Sequence, residues 1–236
     1  MSAVIDGEAA HHLGRVLRAQ EGQQYELSDG QRVFLARIEK ANRDHIEFAL
    51  QEEIPTHKAD VEIILLLSIV KFDAFEWAIE KATELGVSTI VPLAAARSEK
   101  GLLAAAAKRA ERWQKILLEA SQQSRRLSVP RLEALAKPES AFAARKNGVR
   151  LILSEQRTAR PLRVVLSGET APSAVLAIGP EGGWTDPEFA AAEAAGFHQA
   201  SLGKLILRTE TAVIAALASI NYALSADEPQ APSTPL

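Results

Sequence analysis

Two segments of the chain are the most informative about its fold: residues 178–189, IGPEGGWTDPEF, and residues 202–212, LGKLILRTETA. Each follows a short apolar segment and runs into the start of a helix. A strand, a glycine-containing loop and a helix in that order form the ligand crevices of α/β proteins, at the carboxyl ends of parallel strands. The two stretches therefore predict an α/β domain whose binding site lies on these loops.

The first loop, Gly179-Pro180-Glu181-Gly182-Gly183, lacks the Gly-Lys-Ser/Thr of a phosphate-binding Walker loop and the spacing of the GxGxxG dinucleotide motif. Its glycines allow either a close backbone approach to a flat ligand or simply a tight turn. Thr185 and Glu188 have the spacing of a helix capping box, with Asp186-Pro187 as the alternative helix start.

The second loop ends in Arg208-Thr209-Glu210 at the head of an apolar helix. Thr209 is a suitable N-cap, and Glu210 in the first turn suits the helix dipole. Arg208 has no such local explanation, since it precedes a positive helix end. We expect it to have a partner, and an anionic substrate is one candidate.

Working outward, strands and helices alternate through most of the chain, which predicts a parallel sheet. The run VEIILLLSI is apolar throughout, as in a strand buried on both faces. Predicted strands cover residues 61–69, 88–93, 149–154, 174–179 and 199–202. Predicted helices cover 73–85, 102–124, a segment from about 187, and 209–224.

Residues 1–58 form a separate, β-rich segment. A short helix is predicted at residues 7–18, and Asp29-Gly30 between alternating runs predicts a hairpin. Residues 52–60, EEIPTHKAD, read as a linker to the second domain, 59–225. Residues 226–236 are rich in proline and polar groups and are expected to be a disordered tail.

Positive charge is concentrated in the middle of the chain. The formal net charge is −3, yet residues 71–163 carry 18 basic and 10 acidic side chains. A localised basic region is the electrostatic signature of nucleic-acid binding, and it is also compatible with a solvated helix face.

The chain has no cysteine, which excludes disulfides, thiolate metal sites and a cysteine nucleophile. No secretion signal or stretch long enough to span a membrane is read, so a cytoplasmic protein without membrane contact is expected. His11 and His12 are adjacent on the predicted short helix, where a surface or packing role is expected, and His45, His57 and His198 are scattered and indicate no metal site.

Residues 211–224, TAVIAALASINYAL, contain no charged side chain. A helix that is apolar all round is covered on more than one side. Either it is a central core helix, or it packs on the sheet with one face and on a second subunit of a homodimer with the other.

Together, IGPEGGWTDPEF and LGKLILRTETA resemble the signature of SPOUT methyltransferases. Within that class they are similar to the bacterial 16S ribosomal RNA uridine-N3 methyltransferase family, small-subunit ribosomal RNA methyltransferase E. EWAIEKATELGVSTIVPL resembles the start of the family's catalytic domain, and EAAHHLGRVLRAQEGQQYELSDGQ its PUA-like RNA-binding barrel. The resemblance implies that the first strand of the family's barrel is missing here.

The resemblance implies a C-terminal SPOUT domain with a trefoil knot, a homodimer, and S-adenosylmethionine bound in the knot. The implied cofactor pocket takes residues from both loops: Ile178, Gly179, Glu181, Gly182, Gly183, Leu202, Gly203, Leu207, Arg208 and Thr209.

The implied reaction methylates nitrogen-3 of a uridine in 16S ribosomal RNA of the small ribosomal subunit. Arg208 is predicted to stabilise the charge that develops on the uracil ring or to hold a phosphate, with Glu210 orienting it or acting as base. The predicted RNA contacts are Arg15, Arg18, Arg97, Arg125 and Arg126.

Two other functions stay open at this point. One is a SPOUT methyltransferase acting on transfer RNA or on a ribose hydroxyl. The other is a non-catalytic RNA-binding or ribosome-assembly protein, against which the intact loops and the intact Arg208-Thr209-Glu210 argue.

Overall fold

A computed structural model of the chain describes residues 1–16, 18–42, 44–55 and 61–224. The chain divides into two compact units, Met1–Lys58 and Ala59–Leu236. The expected linker lies partly, and the expected tail of residues 226–236 wholly, outside the described residues.

The first unit is a four-stranded antiparallel sheet with a short helical segment. Its strand order is β1-β4-β3-β2, and its core is formed by Ala10, Ala36, Ile38, Ile46 and Phe48. The elements are β1 (Ser2–Asp6), α1 (Gly7–His11) followed by a π-helical turn (His12–Val16), β2 (Gln24–Ser28), β3 (Val33–Ala41) and β4 (His45–Ile54).

The predicted hairpin is confirmed: β2 and β3 pair in antiparallel register, and Gly30 between them has a φ of +87°. The predicted linker begins too early, because β4 continues to Ile54, which pairs with Val33. The sequence pattern also missed β1, which pairs with β4 over Ser2–Asp6.

The second unit is an α/β layered structure around a seven-stranded sheet. Its strands are β5 (Glu62–Ser68), β6 (Thr89–Leu93), β7 (Arg131–Leu132), β8 (Val149–Leu153), β9 (Arg160–Pro161), β10 (Ser173–Ile178) and β11 (His198–Ser201). Its helices are α2 (Phe72–Glu84), α3 (Lys100–Ala106), α4 (Ala110–Gln123), α5 (Pro138–Ala143), α6 (Leu162–Val165), α7 (Asp186–Ala194) and α8 (Thr209–Leu224).

Every strand pair in this sheet is parallel, in the order β7-β6-β5-β10-β8-β11-β9. Alternate residues of β5 enter different cores: Ile63, Leu65 and Leu67 pack with α2, α4 and α8, whereas Leu66 packs on the other face. Burial on both faces explains why β5 is apolar throughout. The predicted α/β class, with a small β-rich unit before it, is confirmed.

The long helix predicted at residues 102–124 is wrong in one respect. It is interrupted by a 3₁₀ turn (Ala107–Arg109), at which the Arg109 guanidinium lies 4.6 Å from the centre of the Phe72 ring and 3.4 Å from the Glu76 carboxylate. These contacts with α2 are tertiary and leave no mark in the local sequence. No periodic sequence pattern predicts the short elements β7, α5, β9 and α6. The trefoil knot stays a prediction.

Candidate active site

The site residues lie at the carboxyl ends of the sheet, where neighbouring β5 and β10 are its central strands. On one side of β5 lie β6 and then β7, which follow it in the sequence, and on its other side lie β10, β8 and β11. The direction in which strands are added to the sheet therefore reverses at β5. Such a switch point leaves a crevice at the carboxyl ends of the strands, which is the usual ligand site of open parallel sheets. Three loops meet this edge: the β6 loop (94–99), the glycine loop (179–185) and the arginine loop (202–208).

The glycine loop joins β10 to α7. Thr185 is the N-cap of α7, with Glu188 at the third helical position, as the capping-box spacing predicts. The Glu188 carboxylate accepts hydrogen bonds from the backbone N–H and the hydroxyl of Thr185, both at 2.8 Å. Its other oxygen accepts the Ala96 N–H at 2.8 Å, so this buried carboxylate joins the glycine loop to the β6 loop.

The glycines of this loop have three different reasons to be glycine. A Cβ on Gly179 would lie 3.1 Å from the indole of Trp184, and one on Gly182 would lie 3.3 Å from the Cβ of Arg97. Gly183 has a φ of +69°, which disfavours any residue with a side chain. At Gly179 and Gly182 the space for a side chain is therefore taken by the protein's own Trp184 and Arg97, and the close approach of a ligand to the loop backbone stays a prediction.

The side chain of Trp184 attaches the glycine loop to the sheet. Its indole is 5% exposed, donates its Nε1–H to the carbonyl of Leu153 at 3.1 Å, and packs edge-on against Phe142 with ring centres 5.8 Å apart. Leu153 is the last residue of β8, so the loop is attached to the strand beside its own. No local sequence pattern indicates this role of Trp184.

The arginine loop joins β11 to α8 and contacts the glycine loop. The Thr209 hydroxyl donates to the carbonyl of Gly179 at 3.4 Å. Thr209 is the first residue of α8 rather than its N-cap: the carbonyl of Arg208 accepts the first helical bond, from Ala212 N–H at 2.9 Å, so Arg208 occupies the N-cap. The predicted N-cap is thus off by one residue, because the Thr209 hydroxyl bonds to the neighbouring loop instead.

Arg208 is exposed, and its guanidinium has no acceptor within the described part of the chain. Glu210, in the first turn of α8, is half-buried and equally without a described partner for its carboxylate. Leu205 and Ile206, in the same loop, are 83% and 80% exposed. The loop therefore presents a positive group and two apolar side chains beside the positive end of a helix.

The predicted RNA-contacting arginines lie in separate places. Arg15 and Arg18 are exposed on the first unit. Arg97 lies in the β6 loop, where its Nη1 donates to the carbonyls of Gly182 and Trp184. Arg125 and Arg126 follow α4 at the amino edge of the sheet, opposite the edge that carries the glycine loop.

Arg126 has a structural role that its position in a basic run did not reveal. It is half-buried, and its Nη1 donates to the carbonyl of Thr83 at 2.7 Å, in the last turn of α2. Burial lowers the pKa of Arg126 from its ordinary value. Arg125, with a φ of +53°, is exposed to solvent.

Residues 57–221 match the RNA methyltransferase domain family, and residues 5–51 match the RNA methyltransferase PUA domain family. Ribosomal RNA small subunit methyltransferase E of a Synechocystis species is 35% identical over 91% of this chain and 71% of its own length. The enzyme of that name from Bacillus subtilis is 30% identical over 92% of this chain and 89% of its own. The chain belongs to the ribosomal RNA small subunit methyltransferase E family.

A solved member of this methyltransferase E family, from Neisseria gonorrhoeae and bound to S-adenosyl methionine, superposes with a TM-score of 0.84 at 32% identity, covering 95% of this chain and 92% of that one. A putative methyltransferase from Legionella pneumophila in complex with the same cofactor superposes with a TM-score of 0.84 at 30% identity, covering 94% and 92%. The family predicted from the two loops is confirmed.

The described residues contain no group of three or more histidine, cysteine, aspartate or glutamate side chains that could hold a metal ion. Of the helices in the described ranges, none has the length and apolar character needed to cross a membrane.

Proposed function

We propose that this protein transfers a methyl group from S-adenosylmethionine to nitrogen-3 of one uridine in 16S ribosomal RNA of the small ribosomal subunit. The supporting observation is the contact between the glycine loop and the arginine loop, made by Thr209 and Gly179, in a chain whose solved relative carries this cofactor. Its RNA substrate places the reaction in the cytoplasm.

The residues at the carboxyl edge fit the cofactor. Within the described residues, the N–H groups of Glu181 and Gly182 have no acceptor, and they can donate to a polar ligand. The side of Gly203 is open, with no atom within 4 Å of a Cβ placed there. The proposed pocket combines these with other residues of the two loops: Ile178, Gly179, Gly183, Leu202, Leu207, Arg208 and Thr209.

S-adenosylmethionine supplies, when bound, an electrophilic methyl group, whose transfer by displacement requires no metal ion. The protein has to orient the uracil, exclude water, and accommodate the negative charge left when nitrogen-3 loses its proton. Arg208 suits the last task, since a guanidinium stays charged and forms paired hydrogen bonds to oxygens. Glu210, two residues on, is the proposed orienting group or base.

RNA binding is proposed for arginines in both units. Arg15 and Arg18 would contact RNA from the first unit. Arg125 would contact RNA at the amino edge of the sheet in the second unit, and this contact requires RNA that extends well beyond the target nucleotide. Arg97 and Arg126 already donate to backbone carbonyls, which favours a structural role over the predicted RNA contact for these two residues.

A homodimer is proposed through α8. One face of this helix is buried against α2, α6 and the sheet strand β10; it carries Val213, Ala216, Leu217 and Ile220. Thr211, Ala218 and Tyr222 are exposed, Tyr222 at 93%, on a helix with no charge after Glu210. This pattern favours a second subunit over a central core position, and we propose that α8 is also the segment threaded through the trefoil knot. Light scattering that gives a monomer mass at micromolar concentration would contradict the dimer.

The function is tested by mass spectrometry of small-subunit ribosomal RNA after incubation with protein and S-adenosylmethionine. The RNA is supplied both naked and as assembled subunits, from a strain lacking the gene. We expect new 3-methyluridine with the wild type and little with Arg208→Ala. The Lys146→Ala variant, which removes one exposed positive charge before β8, is the matched control and should be fully active.

The other outcomes separate the alternatives. A methyl group on transfer RNA or on a ribose would contradict the uridine-N3 assignment but would still be consistent with methyl transfer from S-adenosylmethionine. Failure to bind S-adenosylmethionine would contradict the whole proposal and favour a non-catalytic RNA-binding or ribosome-assembly protein.

A further inference from the structure

The β6 loop is attached to the glycine loop at several points, although 85 residues separate Arg97 from Gly182. The Nη1 of Arg97 donates to the Gly182 carbonyl at 2.7 Å and to the Trp184 carbonyl at 3.1 Å. The side-chain stem of Arg97 packs on Gly182, where a Cβ would lie 3.3 Å from the Cβ and 3.4 Å from the Cδ of Arg97.

These contacts fix two peptide planes of the glycine loop from both sides. The carbonyl of Gly182 is held by Arg97, while the N–H of the same peptide group, on Gly183, donates to the Pro180 carbonyl at 2.7 Å. The carbonyl of Trp184 is also held by Arg97, while the N–H of that peptide group, on Thr185, donates to Glu188.

The Glu181 and Gly182 N–H groups are not held in this way. Neither has an acceptor among the described residues, although the Pro180 carbonyl, in the same peptide group as the Glu181 N–H, accepts the Gly183 N–H at 2.7 Å. A loop containing two adjacent glycines has many accessible conformations, and ordering it upon ligand binding costs affinity. A side chain that orders the loop beforehand removes part of that cost.

We propose that Arg97 is a positioning residue for the cofactor: it holds the glycine loop in the conformation that offers the Glu181 and Gly182 N–H groups to S-adenosylmethionine. The inference rests on the proposed function. It gives Arg97 a role different from the RNA contact that its charge predicts, because its hydrogen bonds are made to the cofactor loop.

The test measures S-adenosylmethionine affinity by calorimetry, without RNA, for the wild type, Arg97→Ala and Arg97→Lys. We expect Arg97→Ala to raise Kd about ten-fold, equivalent to about 1.4 kcal/mol. In Arg97→Lys the ammonium can still donate to a carbonyl, so most of the affinity should be restored. Lys146→Ala, a charge-matched change before β8, should bind as the wild type does.

Kinetics and RNA binding distinguish positioning from other roles. Arg97→Ala should raise KM for the cofactor while kcat at saturating cofactor stays within about two-fold, since a bound cofactor itself orders the loop. RNA affinity should be unchanged. Lower RNA affinity with an unchanged cofactor Kd would overturn the inference and restore the RNA contact.

Failure of the inference and failure of the function are distinguishable. A wild type that binds no S-adenosylmethionine refutes the proposed function and this inference with it. A wild type that binds, beside an Arg97→Ala variant whose Kd is within two-fold, refutes this inference alone. If Arg97→Ala does not fold, Arg97→Gln, which keeps part of the stem and one amide donor, is judged by the same criterion.

Discussion

The contact between Gly179 and Trp184 predicts an unusual response to a single methyl group. In Gly179→Ala the new Cβ would lie 3.1 Å from the indole Cε2 and Nε1 atoms, inside the 3.5–4.0 Å optimum for carbon contacts. The indole has little room to move, because it is buried and bonded to the Leu153 carbonyl. Overpacking of this kind costs about 2 kcal/mol.

An opposing effect acts through the unfolded chain. Gly179 lies outside the left-handed region, so alanine there is compatible with the backbone and stabilises by about 0.7 kcal/mol by reducing unfolded-state entropy. The net expectation is a destabilisation of about 1.3 kcal/mol. In a Trp184→Leu background the steric conflict is gone, and the same substitution should stabilise slightly. The sign of the effect should therefore reverse between the two backgrounds.

Urea unfolding followed by tryptophan fluorescence measures this directly. The three tryptophans, Trp77, Trp113 and Trp184, all lie in the second unit, so the signal reports that unit alone. With a slope of about 2 kcal/mol per molar urea, Gly179→Ala should lower the midpoint by about 0.6 M. An equal decrease in both backgrounds, or none in the wild type, would refute the steric explanation.

Three other changes test separate parts of the structure. Arg208→Lys should lower kcat about 100-fold, the loss typical of one charge-stabilising group. It should leave the free energy of unfolding in urea unchanged, because the guanidinium of Arg208 has no acceptor in the described ranges. Full activity of this variant would contradict a role of Arg208 in the mechanism. Arg126→Ala should destabilise the second unit by about 1–2 kcal/mol through the lost bond to Thr83 and leave RNA affinity unchanged. Arg125→Ala should lower RNA affinity in filter binding, and equal RNA affinities for the two variants would contradict this division. Hydrogen bonds to Asp6 and, to a lesser extent, Glu47 raise the pKa of His45 above its ordinary value of 6.5. The stabilisation from the His45–Asp6 pair is therefore complete below pH 6.5 and is lost as the pH rises through the raised pKa. NMR titration of the His45 ring and amide exchange in β1 check this, and a pH response that persists in His45→Gln would contradict it.

The sequence predicted most of what is periodic or local in the fold. Continuous apolar runs located β5, β6, β8 and β10, and the Thr185–Glu188 spacing located the start of α7. These succeed because each depends on residues within a few positions of one another. The break in the helix at Ala107–Arg109 and the two-residue strands depend on distant partners, and neither has a local signature.

The candidate site divides in the same way. Both loops were identified from their residues, but what each residue does there was only partly predictable. The sequence predicts an RNA contact for Arg97 and no role for Trp184. In the structure Arg97 holds two carbonyls of the glycine loop, and Trp184 attaches the loop to the carbonyl of Leu153 in β8. Such bonds are made to carbonyl groups, which every residue has, so the sequence of the acceptor carries no trace of them.

The attachment of the glycine loop to the β6 loop has a consequence for how the chain folds. Arg97 and Gly182 are 85 residues apart, and Ala96 and Glu188 are 92 apart, so these bonds close only after the strands between them have assembled. Contacts of such long sequence separation form late, since their loop-closure entropy is offset only once the sheet is in place. The crevice at the carboxyl edge should therefore be among the last parts of the molecule to mature, and ligand affinity during refolding would report completion of the sheet rather than formation of its helices.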